Sequence, residues 1–217
     1  MSDPQNSAQP LLTVQDLNVS YTTAKGDVPA VQGVNVEVHP GQMTAIVGES
    51  GSGKTTSAMA ALDLLGSTGT VLGGSIRFKG QELSGLTAAE WRELRGKRIG
   101  LVPQDPNNSL NPLKTIGASV EDGMAIHGIG DAASRKARAL QLLERVGIDD
   151  PERRYNQYPH ELSGGMKQRV LIAAAVALEP EVLIADEPTS ALDVTVQKTI
   201  LDLLDEMRAE LGLGIVF

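Results

Sequence analysis

The sequence contains no cysteine in its 217 residues. That excludes disulfide staples and thiolate metal sites, and it suits a reducing compartment. Aromatic residues make up only 3% of the chain, with one tryptophan and two phenylalanines, so Val, Leu, Ile and Ala must fill the core. Long apolar runs are missing too. The longest, around Val170 to Leu178, is too short to cross a bilayer, and the polar residues 1–10 contain no signal-peptide core. A membrane role would therefore act through a partner. Positive charge is scarce: 19 Lys and Arg stand against 27 Asp and Glu, a net charge of −8. Nucleic-acid phosphates repel such a surface, so no nucleic acid is expected as a partner. The length is enough for one large domain, or a core with sub-lobes.

The sequence does contain Gly48-Glu49-Ser50-Gly51-Ser52-Gly53-Lys54-Thr55, which fits the phosphate-binding pattern G-x-x-x-x-G-K-[ST]. The apolar run Met43-Thr44-Ala45-Ile46-Val47 before it reads as a buried strand. After it, Ala58, Met59, Ala61, Leu62 and Leu65 recur at helical spacing, with Gly66 as the expected C-cap. A strand–loop–helix context is what the pattern requires. Glycines let several backbone N–H groups converge on one anion, and the helix N-terminus adds its positive dipole end. Lys54 can reach the β- and γ-phosphates of a bound nucleotide as a point charge, and the Thr55 hydroxyl can ligate Mg²⁺. Thr56 continues the same turn.

Along the chain, residues 1–10 read as a disordered tail. Leu12, Val14, Leu17, Val19 and Tyr21 form a strand pattern with one slip in phase. Residues 22–29 read as a polar loop, and Val34, Val36 and Val38 as a half-buried strand. Ile76 and Phe78 alternate before a Lys79-Gly80 turn. These N-terminal strands are expected to form an antiparallel sheet beside the phosphate-binding core. Thr87 and Glu90 match a capping box ahead of Trp91 and Leu94. Ile99–Val102 reads as a buried strand stopped by Pro103. A helical lobe is expected over about residues 105–160: Ile116, Val120 and Met124 sit four apart, and Asp131 can cap a helix carrying Leu140, Leu143 and Val146. Beyond it come an Ala-rich helix, the apolar strand Val182–Ala185, a helix with Val196, Ile200, Leu203, Leu204, Met207 and Leu211 on one face, and the start of another strand at Gly214. Alternating helices and strands imply an α/β fold with a mostly parallel sheet.

Five features in order carry a resemblance: the phosphate-binding loop, Gln104, Leu162-Ser163-Gly164-Gly165 followed by Met166, Asp186-Glu187, and Ser190-Ala191-Leu192-Asp193. Together they make residues 11–217 resemble the nucleotide-binding domain of an ATP-binding cassette (ABC) transporter. The resemblance implies a P-loop NTPase core, an N-terminal antiparallel β subdomain and an inserted helical subdomain. It implies ATPase activity with ATP and Mg²⁺ as cofactors. Glu187 is then the general base that polarises water, Asp186 with Thr55 and Gln104 the metal ligands, and Tyr21 the aromatic that stacks on adenine. The Leu162–Met166 signature opens a helix and offers a second anion site, which implies a head-to-tail dimer in which it covers the partner's ATP, with Asp193 at the seam. A second ATPase subunit, transmembrane permease subunits and, indirectly, a substrate-binding protein are the implied partners, at the cytoplasmic face of the plasma membrane.

Pro103-Gln104-Asp105-Pro106, Ser109-Leu110-Asn111-Pro112 and Tyr158-Pro159-His160-Glu161 resemble the peptide/nickel importer branch, which implies oligopeptides or dipeptides as cargo. The family's switch histidine is expected just past Phe217; His39, His127 and His160 are not in that position, so the sequence reads as a C-terminally incomplete domain. Two other functions fit the same motifs: a soluble ABC ATPase acting on nucleic acid or ribosomes, and a non-hydrolysing module that dimerises on ATP.

Overall fold

The computed structural model describes residues 9–189, 192 and 194–217. In chain order the elements begin with β1 (Leu12–Thr23), β2 (Gly26–Val38), β3 (Met43–Thr44), α1 (Lys54–Ala61), β4 (Gly69–Phe78), β5 (Gln81–Glu82), α2 (Ala88–Leu94) and β6 (Ile99–Val102). They continue with α3 (Pro106–Ser109), α4 (Ile116–Ile126), α5 (Ala132–Arg145), α6 (Pro151–Tyr155), a 3-10 turn at Pro159–Glu161, α7 (Gly164–Val176), β7 (Val182–Ala185), α8 (Val194–Leu211) and β8 (Gly214–Val216). Two four-stranded sheets result, one antiparallel in the order β2-β1-β4-β5 and one parallel in the order β3-β8-β7-β6. The fold is α/β, with α3 to α7 between the parallel strands β6 and β7.

The parallel sheet separates two hydrophobic cores, which explains its unbroken apolar strands. In β7, Leu183 and Ala185 face one core with α4, α5, α7 and α8, while Val182 and Ile184 face the other with α1 and the antiparallel sheet. All four are at most 1% exposed. Side chains alternate across a strand, so a strand buried on both faces must be apolar at every position. The helices capped by Thr115 and Asp131 bring Ile116, Val120, Ala139 and Leu143 into the first core with no exposure. Leu140 is half-buried, and Leu142 takes the buried place instead.

The phase slip in β1 is a β-bulge. Pairing with β2 shifts register between Val14 and Leu17, and Asp16 sits there at φ 47, held by the Asn35 side-chain oxygen accepting from its N–H at 3.0 Å. Residues 22–29 do not form a loop. β1 and β2 pair as far as Thr23 opposite Gly26, leaving only Ala24-Lys25 as the turn. The polar residues there belong to exposed hairpin strands, where polarity carries no loop signal.

Two expectations around the phosphate-binding loop also change. The strand before it is short: β3 is Met43–Thr44, and Val47 is 92% exposed. Among the described residues β3 pairs with β8 alone; beyond its end Ala45 and Val47 meet solvent, while Ile46 packs against the second core. The helix after the loop ends at Ala61 rather than at Gly66. Asp63 takes the left-handed position at φ 52, and the Asp63 and Leu64 N–H groups donate to Ala60 and Met59 carbonyls, a Schellman closure.

Arg95, the C-cap of α2, locks that closure. Its Nε donates to the Leu62 carbonyl at 2.8 Å and its Nη2 to the Asp63 carbonyl at 2.9 Å. The guanidinium lies 4.7 Å from the centroid of the Trp91 ring. Arg95→Ala leaves two carbonyls without this donor and removes the ring contact, and it is expected to lower the unfolding free energy by about 1–3 kcal/mol. A urea denaturation midpoint checks this; an unchanged midpoint would mean that water satisfies those carbonyls equally well.

Candidate nucleotide-binding site

The loop between β3 and α1 is exposed from Gly48 to Gly51, so its backbone is available to a ligand. Gly53 caps α1 at φ 94, and a Cβ there would sit 2.6 Å from the Ala30 carbonyl oxygen. Both backbone sign and space therefore require glycine. Ala30 of β2, with Gly48, Gly51, Lys54, Gln104 and Glu187, lines an open cleft of about 350 Å³ that also takes in Ser50, Gly53, Thr55 and Thr56. The Glu49 carbonyl accepts from the Ser52 N–H at 3.2 Å, which turns the loop.

Lys54 opens α1 and folds back over the loop. Its Nζ donates to the Gly48 and Glu49 carbonyls at 2.8 and 3.0 Å and lies 3.3 Å from Glu187 Oε1. The next residue points to the sheet: Thr55 Oγ1 donates to Asp186 Oδ1 at 3.0 Å. β7 is one strand removed from β3, with β8 between, so it is α1 that carries Thr55 across to it. Gln104, two residues past the end of β6, donates from Nε2 to Glu187 Oε2 at 2.8 Å. Glu187 thus meets an ammonium and an amide in one place, and it does so at φ 43. Left-handed backbone at a non-glycine residue costs of order 1–2 kcal/mol, and such strain concentrates at functional sites.

Asp186 is 7% exposed. Burial pushes its carboxyl above the ordinary value of 3.8; the Thr55 hydroxyl opposes the rise, the neighbouring Glu187 carboxylate adds to it, and the Lys54 charge opposes it. A carboxyl raised in the native state loses stability with rising pH, because the unfolded chain releases its proton first. The stability cost therefore sets in above the ordinary 3.8. In the nucleotide-free chain, Asp186→Asn is expected to raise the thermal midpoint at pH 7, with the gain vanishing below pH 3.8. A midpoint at pH 7 that falls would mean that the ionised carboxylate is stabilised by its neighbours.

The remaining predicted residues lie apart from this cleft. Tyr21 pairs with Val28 in β2 and Gly69 in β4, two positions along β2 from Ala30, and its ring edge lies against Gly69. Ser163 caps α7, its Oγ accepting from the Met166 N–H at 3.3 Å. Leu162 is buried, Ser163 and Gly164 are exposed and Met166 is half-buried. A Cβ at Gly165 would stand 2.9 Å from Val196 Cγ1 of α8, so the signature turn packs tightly on that helix. None of these five residues lines the Lys54 cleft. Asp193, with Ser190 and Ala191, lies outside the described residues. Ala30 was missed by sequence reasoning; nothing in an alanine within a strand signals that a glycine loop will close on its carbonyl.

These features converge with what the chain is similar to. The ABC transporter family model matches residues 31–190. Over 208 residues the chain is 47% identical to a Brucella abortus (strain 2308) relative whose name assigns it to peptide import as an ATP-binding protein, covering 95% of this chain and 62% of that one. It is 46% identical over 208 residues to the oligopeptide transport ATP-binding protein OppD of Bacillus subtilis (strain 168), covering 95% of this chain and 58% of that one. The chain thus spans about three fifths of the length of these curated relatives. Its fold matches the dimeric ATP-binding cassette MJ0796, solved in a post-hydrolysis state with ADP and Pi, with a TM-score of 0.82 and 29% identity over 94% of this chain and 86% of that one. A glycine-rich loop of the G-x-x-x-x-G-K-[ST] pattern, an acidic pair at the end of a central strand and a family model spanning both place this chain in the ABC transporter family.

Proposed function

We propose that the chain is the ATP-binding and hydrolysing part of an importer of oligopeptides or dipeptides. The peptide cargo rests on the names of the similar proteins; the observation that carries the hydrolytic part of this reading is the pairing at the end of β7, where Asp186 holds Thr55 while Glu187 holds Lys54 and Gln104. Neighbouring carboxylates thus face different partners and suit different tasks. Thr55 and Asp186 converge as hard oxygen donors, and the buried carboxylate is short of positive charge, which fits Mg²⁺. The Gln104 amide would supply a further oxygen to it. When bound, Mg²⁺ neutralises charge on the β- and γ-phosphates.

The protein groups do the rest. Residues Gly48, Glu49, Ser50, Gly51, Ser52 and Gly53 present backbone N–H groups to the phosphates, and Thr56 extends that cradle. Lys54 exchanges its carbonyl partners for phosphate oxygens. Glu187 accepts a proton from the attacking water, and Gln104 orients that water. Transfer is direct to water, driven by positioning and electrostatic stabilisation, with no covalent enzyme intermediate. Tyr21 stacks on adenine at the rim. The turn from Leu162 to Met166 lies apart from its own chain's cleft, which supports a head-to-tail partnership with a second ATPase subunit whose nucleotide it covers, Asp193 lying at the seam. Such a pair would drive transmembrane permease subunits supplied by a substrate-binding protein. Among the described residues no helix is long and apolar enough to cross a membrane, which fits a peripheral subunit held by the permease at the cytoplasmic face.

Phosphate release from ATP tests the hydrolytic claim. Turnover in Mg²⁺ that stops when EDTA is added supports it; ATP binding without phosphate release, in the presence of permease and Mg²⁺, would leave only a binding module.

A further inference from the structure

The residues just after the signature turn are anchored to separate parts of the chain. Gln168 is 1% exposed, within the core. Arg169 donates to the Gly147 carbonyl at 2.8 Å, at the end of α5. Lys167 reaches the other way: its Nζ donates to Asn107 Oδ1 at 2.7 Å.

Asn107 belongs to the segment that leaves Gln104. Asp105 accepts from the Asn107 N–H at 2.8 Å and from Asn108 Nδ2 at 2.7 Å, and its carbonyl accepts from Ser109 Oγ at 2.6 Å. With Pro106 buried beneath it, this turn is one hydrogen-bonded unit that starts from the residue next to Gln104. At the other end, the Lys167 N–H donates to the Ser163 carbonyl at 3.0 Å, so Lys167 follows the signature turn. A continuous path results: Glu187, Gln104, the Asp105-capped turn, Asn107, Lys167, Ser163.

We propose that Lys167 is a positioning residue that ties the signature turn to the Gln104 segment of the same chain. The tie holds the signature turn in the placement that a partner's nucleotide would meet. This rests on the reading above, in which the signature completes a partner's site. A hydrogen bond between partly exposed groups adds little to global stability. Its consequence is expected in dimer closure instead.

The test uses the Glu187→Gln chain, in which slow hydrolysis lets an ATP-bound dimer accumulate. Lys167→Met keeps most of the stem and removes the donor, and Asn107→Ala removes the acceptor. Sedimentation equilibrium with ATP measures dimerisation. Titration with a fluorescent ATP analogue at protein concentrations far below the dimer constant measures binding by the single chain. Each substitution is expected to weaken ATP-dependent dimerisation about fivefold, with analogue affinity within about twofold and the thermal midpoint unchanged. The double variant should be no weaker than either single one, as for two groups sharing one bond, and Lys167→Arg should restore most of the loss. Dimer constants matching the Glu187→Gln chain, losses that multiply in the double variant, or a parallel fall in midpoint and analogue affinity would each overturn the inference. If the Glu187→Gln chain binds the analogue yet never dimerises, the head-to-tail reading itself fails and this inference falls with it; that result is separable because it appears before Lys167 is touched.

Discussion

Glu187→Gln is expected to lower ATP turnover by about 10²- to 10⁴-fold, the usual contribution of a positioned general base, while ATP affinity changes little. The substitution keeps the size of the side chain and one accepting oxygen, so Lys54 retains an acceptor where it now lies 3.3 Å from Glu187, while Gln104, which now donates at 2.8 Å, turns its amide oxygen towards the new NH2 group. What it removes is the proton acceptor. Nucleotide therefore remains bound, and the ATP-bound dimer should accumulate and become visible by size-exclusion chromatography. Phosphate release measured alongside nucleotide binding checks the split. Turnover at the parent rate would mean that another group takes the proton.

Lys54→Ala is expected to act at the earlier step. The Lys54 ammonium is held over the loop by the Gly48 and Glu49 carbonyls at 2.8 and 3.0 Å, where an incoming phosphate would meet it. Hydrogen bonds to charged groups are worth about 1.5–3 kcal/mol each, and some of that is offset because the free chain already satisfies the ammonium. A net loss of about 2–4 kcal/mol corresponds to roughly 30- to 1,000-fold weaker ATP binding. Fluorescent nucleotide titration measures it. Retained affinity would show that backbone N–H groups and the α1 dipole alone hold the phosphates.

Much of this was legible in the residues. The Thr87–Glu90 capping box is present, with the Glu90 carboxylate accepting from the Thr87 N–H at 2.7 Å, because capping is a local matter of spacing. The strand Val182–Ala185 could be read as central because only a strand covered on both faces is apolar throughout. Lys54, Thr55, Gln104, Asp186 and Glu187 could each be picked out, and the structure brings them together within hydrogen-bonding or ion-pair reach.

What the residues hid was set by distant partners. Met43-Thr44-Ala45-Ile46-Val47 is apolar enough for a buried strand, yet its ladder depends on β8, about 170 residues later. Gly66 looks like a helix stop, but Asp63 closes α1 first, with Arg95 locking it from 32 residues away. The Asp16 bulge appeared only as a slip in hydrophobic phase. The bond from Lys167 to Asn107 spans 60 residues and leaves no pattern, since neither residue type at either position calls for the other.

The central claim is that two chains build each working site. ATP turnover per chain, measured with Mg²⁺ against protein concentration, tests it most directly. The account predicts a specific rate that rises with concentration towards a plateau and that Glu187→Gln abolishes. A specific rate independent of concentration across the range in which light scattering shows monomers becoming dimers would contradict it, because hydrolysis would then need no signature turn from a partner.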